Sequence, residues 1–252
     1  MMSASFAGFV VCVIVASVTQ NVTGFALALV LLGLTGLFQL APLADVANVA
    51  MVLGIASAPI ALRGAHDMDL RILRSTVSGS LFGVAAGVAL LAWLSGSVVM
   101  VLRLLLGLVI VACAIVVLVR GKPLPERSSP GSFRAWGFLS GVLGGLFSAS
   151  GPPLVYQFYR QPMSLDAVRY TLRITLATGS LIRLVMVVAS GHFSRESVTM
   201  CVVAVPLVLG ITWWMERHPP RWPRQVVVKI VCALLLVTGA GLIGPALHAL
   251  VG

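Results

Sequence analysis

The sequence predicts an all-α polytopic membrane protein built from two inverted repeats of four segments, each with a broken or re-entrant first segment. The first observation is composition: 59% of the 252 residues are hydrophobic and 10% are charged. Soluble domains average about 25% charged residues, so this chain lacks the charge to cover a surface that faces water. A disordered chain is excluded too, because disorder requires low hydrophobicity and high charge. The other two observations are the lengths of the apolar runs and their internal symmetry.

Six apolar runs are each long enough to cross a hydrocarbon core of roughly 30 Å, which takes about 20 residues in a helix. They cover residues 44–62, 75–94, 98–119, 165–190, 197–215 and 225–247. Two further runs, 3–38 and 135–159, are apolar but interrupted, at residues 19–24 and 148–153. Each of these two runs predicts either one broken helix or a re-entrant hairpin with two short legs.

The cations in the loops decide how the broken runs lie. If all eight runs crossed the membrane once, eight loop cations would face one side and four the other. If each broken run enters and leaves the membrane on a single side, eleven loop cations face one side and one faces the other. The positive-inside rule favours the second arrangement. We therefore expect six full spans, two re-entrant hairpins and both termini outside the cytoplasm. The net charge of +10 then reflects orientation in the membrane and not nucleic-acid binding.

The chain divides into two similar halves, residues 1–120 and 132–252, joined by a linker over residues 121–131. Each half contains a broken run followed by three spans, and Gly24 and Gly151 occupy the two breaks. Three spans per half place the second half upside down relative to the first. Inverted repeats with interrupted segments at matching positions are typical of secondary transporters, whose substrate binds between the repeats. A duplicated anion channel is the alternative.

The residues at the two breaks suit an anion site. Gly24 permits the backbone to turn, while Pro152 and Pro153 suit the first turn of a helix that Ser150 and Gly151 would cap. Two helix N-termini that face each other direct unpaired N–H groups and positive dipole ends into the space between them. Structural kinks that neighbouring helices satisfy are the alternative. The candidate substrate-binding residues at the breaks are Gln20, Asn21, Thr23, Gly24, Phe25, Ser148, Ser150, Gly151, Pro152, Tyr156 and Gln157.

Cations inside the spans are the second signal for an anion. Such residues are rare and normally face the protein interior or a water-filled cavity. Arg173, with Arg169 behind it, is the strongest candidate for contact with substrate, although Arg169 is close enough to the cytoplasmic end to snorkel. We expect Arg183 to snorkel outward. The five cations are Arg103, Arg169, Arg173, Arg183 and Lys229, of which the three on segment 165–190 share a face with Ser180.

Asp45 is the acidic residue near the core of a span, and Asn48 lies three residues further along the same helix face. Asp45 could pair with an arginine, cap its own helix or carry a proton, and helix capping is the preferred interpretation. Asn48 is added to the candidate substrate-binding residues.

Small residues recur every fourth position in segment 75–94, at Ser75, Gly79, Gly83 and Gly87. Glycine at this spacing lets two membrane helices approach closely. We therefore expect a packing interface on this face of the segment, and not a binding site.

The motifs of common enzymes are missing from the sequence. It contains no HExxH, GxSxG or Walker motif, so neither an enzyme nor a self-contained ATP-driven pump is expected. The four cysteines sit singly in apolar runs, which indicates neither a disulfide framework nor a metal site. We expect no cofactor.

Two segments resemble a known family. The segment from Gln20 to Val30 resembles the glycine–aromatic motif that opens the sulfite exporter TauE/SafE family, with Ala26 where many members carry glycine. The segment from Gly144 to Val155, followed by Arg169, resembles the signature of that family's second half. The similarity covers nearly the whole chain. It implies a bacterial inner-membrane permease for sulfur-containing anions, such as sulfite, thiosulfate or sulfonates, or for related organic acids.

The sequence thus predicts a multi-pass transporter in the lipid bilayer that holds a small anion between the two breaks and works by alternating access. Protons or ions are candidate coupling partners, although carboxylates are scarce, and a homodimer is compatible with the sequence. An anion channel, a transporter of other organic acids and a non-transporting membrane scaffold are the alternatives.

Overall fold

The computed structural model describes residues 2–61, 69–94, 99–118 and 124–218, with isolated residues between 232 and 243. Every regular element in the four described ranges is a helix. Five of these helices, α1, α3, α4, α8 and α9 in chain order, are long and apolar enough to cross a membrane. The expected polytopic all-helical class is therefore confirmed. The helices are α1 (Met2–Thr23), α2 (Leu27–Leu37), α3 (Leu43–Ala61), α4 (Leu70–Leu94), α5 (Val99–Leu118), α6 (Pro130–Phe147), α7 (Gly151–Tyr159), α8 (Leu165–Ala189) and α9 (Arg195–Arg217).

Five of the six expected spans are helices, with small differences at their ends. The largest difference is α4, which begins five residues before the expected start because Asp69 caps it. One Asp69 oxygen accepts the backbone N–H groups of Arg71 and Ile72 at 3.0 and 3.2 Å, as an N-terminal cap does. The expected span over 225–247 lies outside the described residues, apart from isolated positions.

The first broken run forms a helical hairpin. Its turn is at Gly24, which has a φ of +88° that glycine adopts without strain. Leu40, just after α2, packs against Gly8 near the start of α1. The chain therefore returns to the end from which it entered.

The expectation of two short legs is wrong for the first hairpin. α1 has 22 residues, and α2 has 11. The polar stretch at 19–24 does not break the helix, because the hydroxyls of Thr19 and Thr23 donate to the carbonyls of Val15 and Thr19, each at 2.7 Å. Hydrogen bonds to the preceding turn satisfy these hydroxyls without leaving the helix, so α1 continues up to the glycine.

The second broken run is also a hairpin, made by α6 and α7. The rings of Phe133 and Phe158 lie 5.6 Å apart, which brings the start of α6 to the end of α7. Ser148 ends α6 with a φ of 55°. Pro152 and Pro153 lie in the first turn of α7, so the expected restart of a helix at the prolines is confirmed.

The glycines of α4 form the expected packing interface, and the partner is α6. A Cβ added to Gly83 would overlap the carbonyl oxygen of Phe138, and one added to Gly141 would overlap the carbonyl oxygen of Ser80. The two backbones touch over several turns because neither helix carries a side chain there. The glycines in this contact are Gly79, Gly83, Gly87, Gly137, Gly141 and Gly145.

Helices α3 and α8 lie at the centre of the described helices. α3 packs on α2, α8 and α9, and α8 packs on α3, α4, α6 and α7. Each hairpin therefore lies against the span that follows it, and single hydrogen bonds join it to the central span of the other half, from Arg173 to Asn21 and from Ser148 to Ala47. Among the isolated residues, Gly239 and Ile243 lie against Gly107 of α5.

Asp45 does not cap its own helix, which corrects the expectation. It lies inside the first turn of α3, and its carboxylate accepts the hydroxyls of Ser194 and Ser197 at the start of α9. The beginnings of α3 and α9 meet in space, so the acid bonds to the neighbouring helix. Lys229 and residues 121–123 of the linker lie outside the described residues. The division of the chain into two repeats joined by that linker stays a prediction.

Candidate functional site

The tips of the two hairpins meet inside the protein. Phe25 follows the first turn and Gly151 begins α7 after the second. A Cβ on Gly151 would lie only 2.9 Å from Cδ2 of Phe25, so the aromatic ring needs a glycine opposite it. Both residues are buried. The two breaks that lie 127 residues apart in the chain are therefore neighbours in the structure.

A cavity of about 50 Å³ lies beside the meeting point of the tips. A volume of this size holds a few water molecules. Its walls come from both breaks and from the two central helices, and no carboxylate belongs to the described lining. The lining residues are Gln20, Asn21, Gly24, Phe25, Leu27, Ala28, Ala50, Gly54, Ser57, Ala58, Ser148, Ala149, Ser150, Gly151, Arg173, Leu176, Ala177 and Ser180.

The two helices that start at the cavity have no side-chain cap. Ala26 precedes α2 and Ser150 precedes α7, and neither side chain makes a capping hydrogen bond. By contrast, Ser129, Ser164 and Ser194 cap α6, α8 and α9 through their side chains. The first N–H groups of a helix have no partner within the helix. The first N–H groups of α2 and the N–H of Gly151 in α7 are thus left without a side-chain cap where the cavity lies; Pro152 and Pro153 carry no N–H.

Arg173 supplies positive charge to the cavity wall. One of its guanidinium nitrogens lies 3.3 Å from a carboxylate oxygen of Glu216 in α9, and another donates to the carbonyl oxygen of Asn21 at 3.4 Å. The second contact joins α8 to the tip of the first hairpin. The expected cation is therefore present at the breaks, together with a carboxylate that sequence reasoning did not place there.

The amides of the first hairpin are held by neighbouring helices. Gln20 donates from Nε2 to the hydroxyl of Ser57 in α3 at 3.2 Å. Asn21 donates from Nδ2 to the carbonyl of Ser17 at 3.0 Å and to the hydroxyl of Thr212 in α9 at 3.1 Å. The side-chain NH2 groups are engaged in these bonds. The two amides are thus fixed in orientation next to the cavity.

The serines of the second hairpin fix its tip in the same way. The Ser148 hydroxyl donates to the carbonyl oxygen of Ala47 in α3 at 2.8 Å. The Ser140 hydroxyl of α6 donates to the carbonyl oxygen of Ser150 at 2.6 Å. The Ser150 side chain packs directly over Gly144, where a Cβ would overlap it. Both serines line the cavity, as the sequence predicted for the breaks.

Five of the candidate residues do not line this cavity. The amide of Asn48 is used at both ends, since it donates to the His192 carbonyl and accepts from Arg183, each at 3.2 Å. Thr23 donates to its own helix and Gln157 donates to Ser132. The other two, Pro152 and Tyr156, line a separate apolar cavity of about 400 Å³ between α5, α6 and α7.

Arg169 belongs to α8, and its side chain lies outside what the structure describes, as does that of Arg103. The substrate contacts proposed for Arg169, and for the five residues that lie away from the cavity, stay predictions.

Arg183 is buried, which corrects the expectation that it snorkels outward. Its exposed fraction is 3%. The guanidinium donates to the carbonyl of Gly145 at 3.0 Å and to the side-chain oxygen of Asn48 at 3.2 Å, and it lies 3.6 Å from the sulfur of Met51. These acceptors belong to α3 and α6, so Arg183 joins three helices.

Four lining residues of α3, Ala50, Gly54, Ser57 and Ala58, were missed from the sequence. A signal was present, because Ala50, Gly54 and Ser57 recur at helical spacing as a face of small residues. Small side chains on a central helix leave the space that the cavity occupies.

These features define a multi-pass helical membrane protein with a small cavity, lined by an arginine, amides, hydroxyls and apolar side chains, where two interrupted segments meet. Residues 9–242 match the family described as "Sulfite exporter TauE/SafE", and the chain belongs to that family. Over 231 residues it is 35% identical to a protein of Cupriavidus necator described as "Probable sulfite/organosulfonate exporter TauE", a match that covers 91% of this chain and 90% of that protein. No solved structure matches the chain. The resemblance noted in the sequence is confirmed, and membership of a transporter family fits the expectation that the chain is not an enzyme.

Proposed function

We propose that the protein is a secondary transporter of small sulfur-containing anions such as sulfite, thiosulfate or sulfonates, and that the anion is held in the cavity between the hairpin tips. The name of the Cupriavidus necator relative supports this substrate class. The observation that carries the site is the pair of helix starts without a side-chain cap, α2 and α7, at one cavity. Helix N-termini bind anions through their free N–H groups and their dipoles.

The charge of the lining supports an anion. Arg173 is the cation among the described lining residues, and the other polar lining groups are neutral amides and hydroxyls. A guanidinium binds oxyanions with charge-assisted hydrogen bonds, often two at once. In the proposed complex Arg173 and the N–H groups near Gly24 and Gly151 contact the anionic head, while Gln20, Ser148 and Ser150 orient it.

We also propose that the two halves are inverted repeats that work by alternating access. The contacts of the described helices support a two-fold relation: α3 packs on α9 as α8 packs on α4, and α1 packs on α9 as α6 packs on α4. Under this relation the two hairpins are equivalent, and both are re-entrant from opposite sides of a bacterial inner membrane. Both termini would then be periplasmic. The substrate lies between the repeats, the usual place in transporters of this architecture.

The residues of the cavity lining also bear on how transport could be coupled to a proton or an ion. No carboxylate is among the described lining residues, and Glu216, which lies outside the lining, is paired with Arg173. We propose that any co-transported proton travels on the substrate.

The test is counterflow in proteoliposomes. Vesicles loaded with unlabelled sulfite should accumulate radiolabelled sulfite transiently above its outside concentration, because a carrier exchanges one anion for another. A channel would give downhill flux without this overshoot, and a scaffold would give no flux; either result overturns the proposal. Thermal stabilisation of the purified protein by sulfite, thiosulfate, a sulfonate and a carboxylate should favour the sulfur anions. Stabilisation by the carboxylate alone would assign the protein to organic acids.

A further inference from the structure

The cation at the cavity already has a carboxylate beside it. Arg173 has a side-chain exposure of 12% and lines the cavity, whereas Glu216 is 40% exposed and lies outside the lining. Their charged atoms are 3.3 Å apart. Glu216 is therefore the more exposed member of the ion pair and, unlike Arg173, is not part of the cavity wall.

The helix that carries Glu216 does not account for its position. Glu216 occupies the last turn of α9, where the negative end of the helix dipole disfavours an acid. The adjacent Arg217 lies over the ring of Trp213 at 4.1 Å. Among the described contacts of Glu216, the ion pair with Arg173 offsets the unfavourable helix dipole.

We propose that Glu216 competes with the transported anion for Arg173. This inference rests on the proposed function. With the cavity empty, the Glu216 carboxylate neutralises the guanidinium; when an oxyanion enters, it takes over the hydrogen bonds and Glu216 moves away. A partly exposed ion pair is weak, so an anion that also gains the helix N–H groups displaces the carboxylate at little cost.

The exchange has a consequence for the transport cycle. Arg173 belongs to α8 and Glu216 to α9, so the ion pair joins these two helices. Under the proposal this link is present in the empty carrier and lost in the loaded one. An empty carrier must also reorient if net transport is to occur. Without Glu216, the empty site would lose the negative charge that this carboxylate places beside the guanidinium, and net charge inside a membrane is costly. Glu216 thus allows the empty carrier to return.

The test is the variant Glu216→Gln in proteoliposomes and in detergent, with sulfite as the probe. Removing the competitor should tighten sulfite binding by about two- to fivefold, the range expected for a weak ion pair. Sulfite counterflow should persist, because exchange does not require the empty carrier to reorient, while net flux should fall by a larger factor. Glu216→Asp keeps the charge and should retain net flux above that of Glu216→Gln.

The matched control is Glu196→Gln, which removes the glutamate at the opposite end of the same helix. Glu196 is exposed in the first turn of α9, far along the helix from Arg173, and its loss should change neither affinity nor net flux. Unchanged or weaker sulfite binding in Glu216→Gln, or equal losses of counterflow and net flux, overturns the competition. Absence of counterflow in the unmodified protein would instead overturn the proposed function, so the two failures are distinguishable.

Discussion

Two arginines on α8 have contrasting surroundings. They lie ten residues and about 15 Å apart along the helix. Arg173 lines the cavity and meets a carboxylate that is itself partly exposed. Arg183 is buried and donates to a backbone carbonyl and to the Asn48 side chain, both neutral. One cation thus lies beside a partly exposed carboxylate, and the other donates to neutral buried groups.

The difference shows that the location of a cation within a membrane-spanning helix does not by itself indicate contact with substrate. At 100° per residue, Arg173 and Arg183 point about 80° apart around the helix. That angle is enough to move a side chain from the cavity into the interface with α3 and α6. Arg183 then has a structural role in joining three helices, while Arg173 lines the cavity, where we propose that it contacts the anion. The contrast leads to three predictions, ordered by the size of the expected effect.

Arg183→Ala should have the largest effect, on stability. It removes two hydrogen bonds from a charged donor and leaves the Gly145 carbonyl and the Asn48 amide oxygen buried without that donor. We expect a loss of about 2–4 kcal/mol in the free energy of unfolding, measured by reversible unfolding in mixed micelles. Sulfite affinity of the folded fraction should be unchanged. A variant that is stable but has lost sulfite binding would place Arg183 in the substrate site.

Arg173→Ala should act on binding and spare the fold. A hydrogen bond to a charged group is worth about 1.5–3 kcal/mol, which corresponds to a loss of sulfite affinity of about 10- to 100-fold. Isothermal calorimetry measures the affinity, and a thermal unfolding curve should lie close to that of the unmodified protein. Arg173→Lys serves as the control, because it keeps the charge but not the fork of donors, and should bind at an intermediate level. Unaltered affinity in the alanine variant would remove Arg173 from the site.

Ser57→Ala should have the smallest effect on sulfite binding, and it should act through the orientation of Gln20. The Ser57 hydroxyl accepts from the amide of Gln20 and donates to the Gly54 carbonyl. Its loss frees Gln20 to rotate and should cost about 1 kcal/mol in binding, a several-fold rise in the sulfite concentration for half-maximal counterflow. Ser78→Ala on α4 is a suitable comparison, because that hydroxyl bonds only to its own helix at Ser75 in the described structure. Equal effects of the two substitutions would contradict a specific role for Ser57.

The features that the sequence predicted well are those that local chemistry determines. Gly24 requires a turn, Pro152 and Pro153 require a helix start, and glycines at every fourth position require a close neighbour. The expected class, the two breaks and most of the cavity-lining residues at those breaks followed from such rules. The unequal legs of the first hairpin did not, because whether Thr19 and Thr23 break the helix depends on a hydrogen bond back to the preceding turn.

The contacts that the sequence did not predict join distant segments. Asn48, whose role at the substrate stays a prediction, meets Arg183, which lies 135 positions further along the chain. Asp45 was expected to cap its helix, but it meets serines at the start of α9. The partner of Arg173 lies 43 positions away on another helix. Periodicity gives the face on which a residue lies, but the relative rotation of two packed helices decides which side chains meet.

The contact between α4 and α6 has a mechanical consequence. Two backbones that touch at several successive glycines cannot slide or rotate against each other without steric overlap, so the pair should move as a single rigid rod. The longer leg of the second hairpin is therefore anchored to a neighbouring helix along much of its length. Under the proposed alternating access, motion that opens the cavity would then come from its other walls: the tip of the first hairpin, α3, α8, or the short leg α7 bending at Ser148 to Ser150.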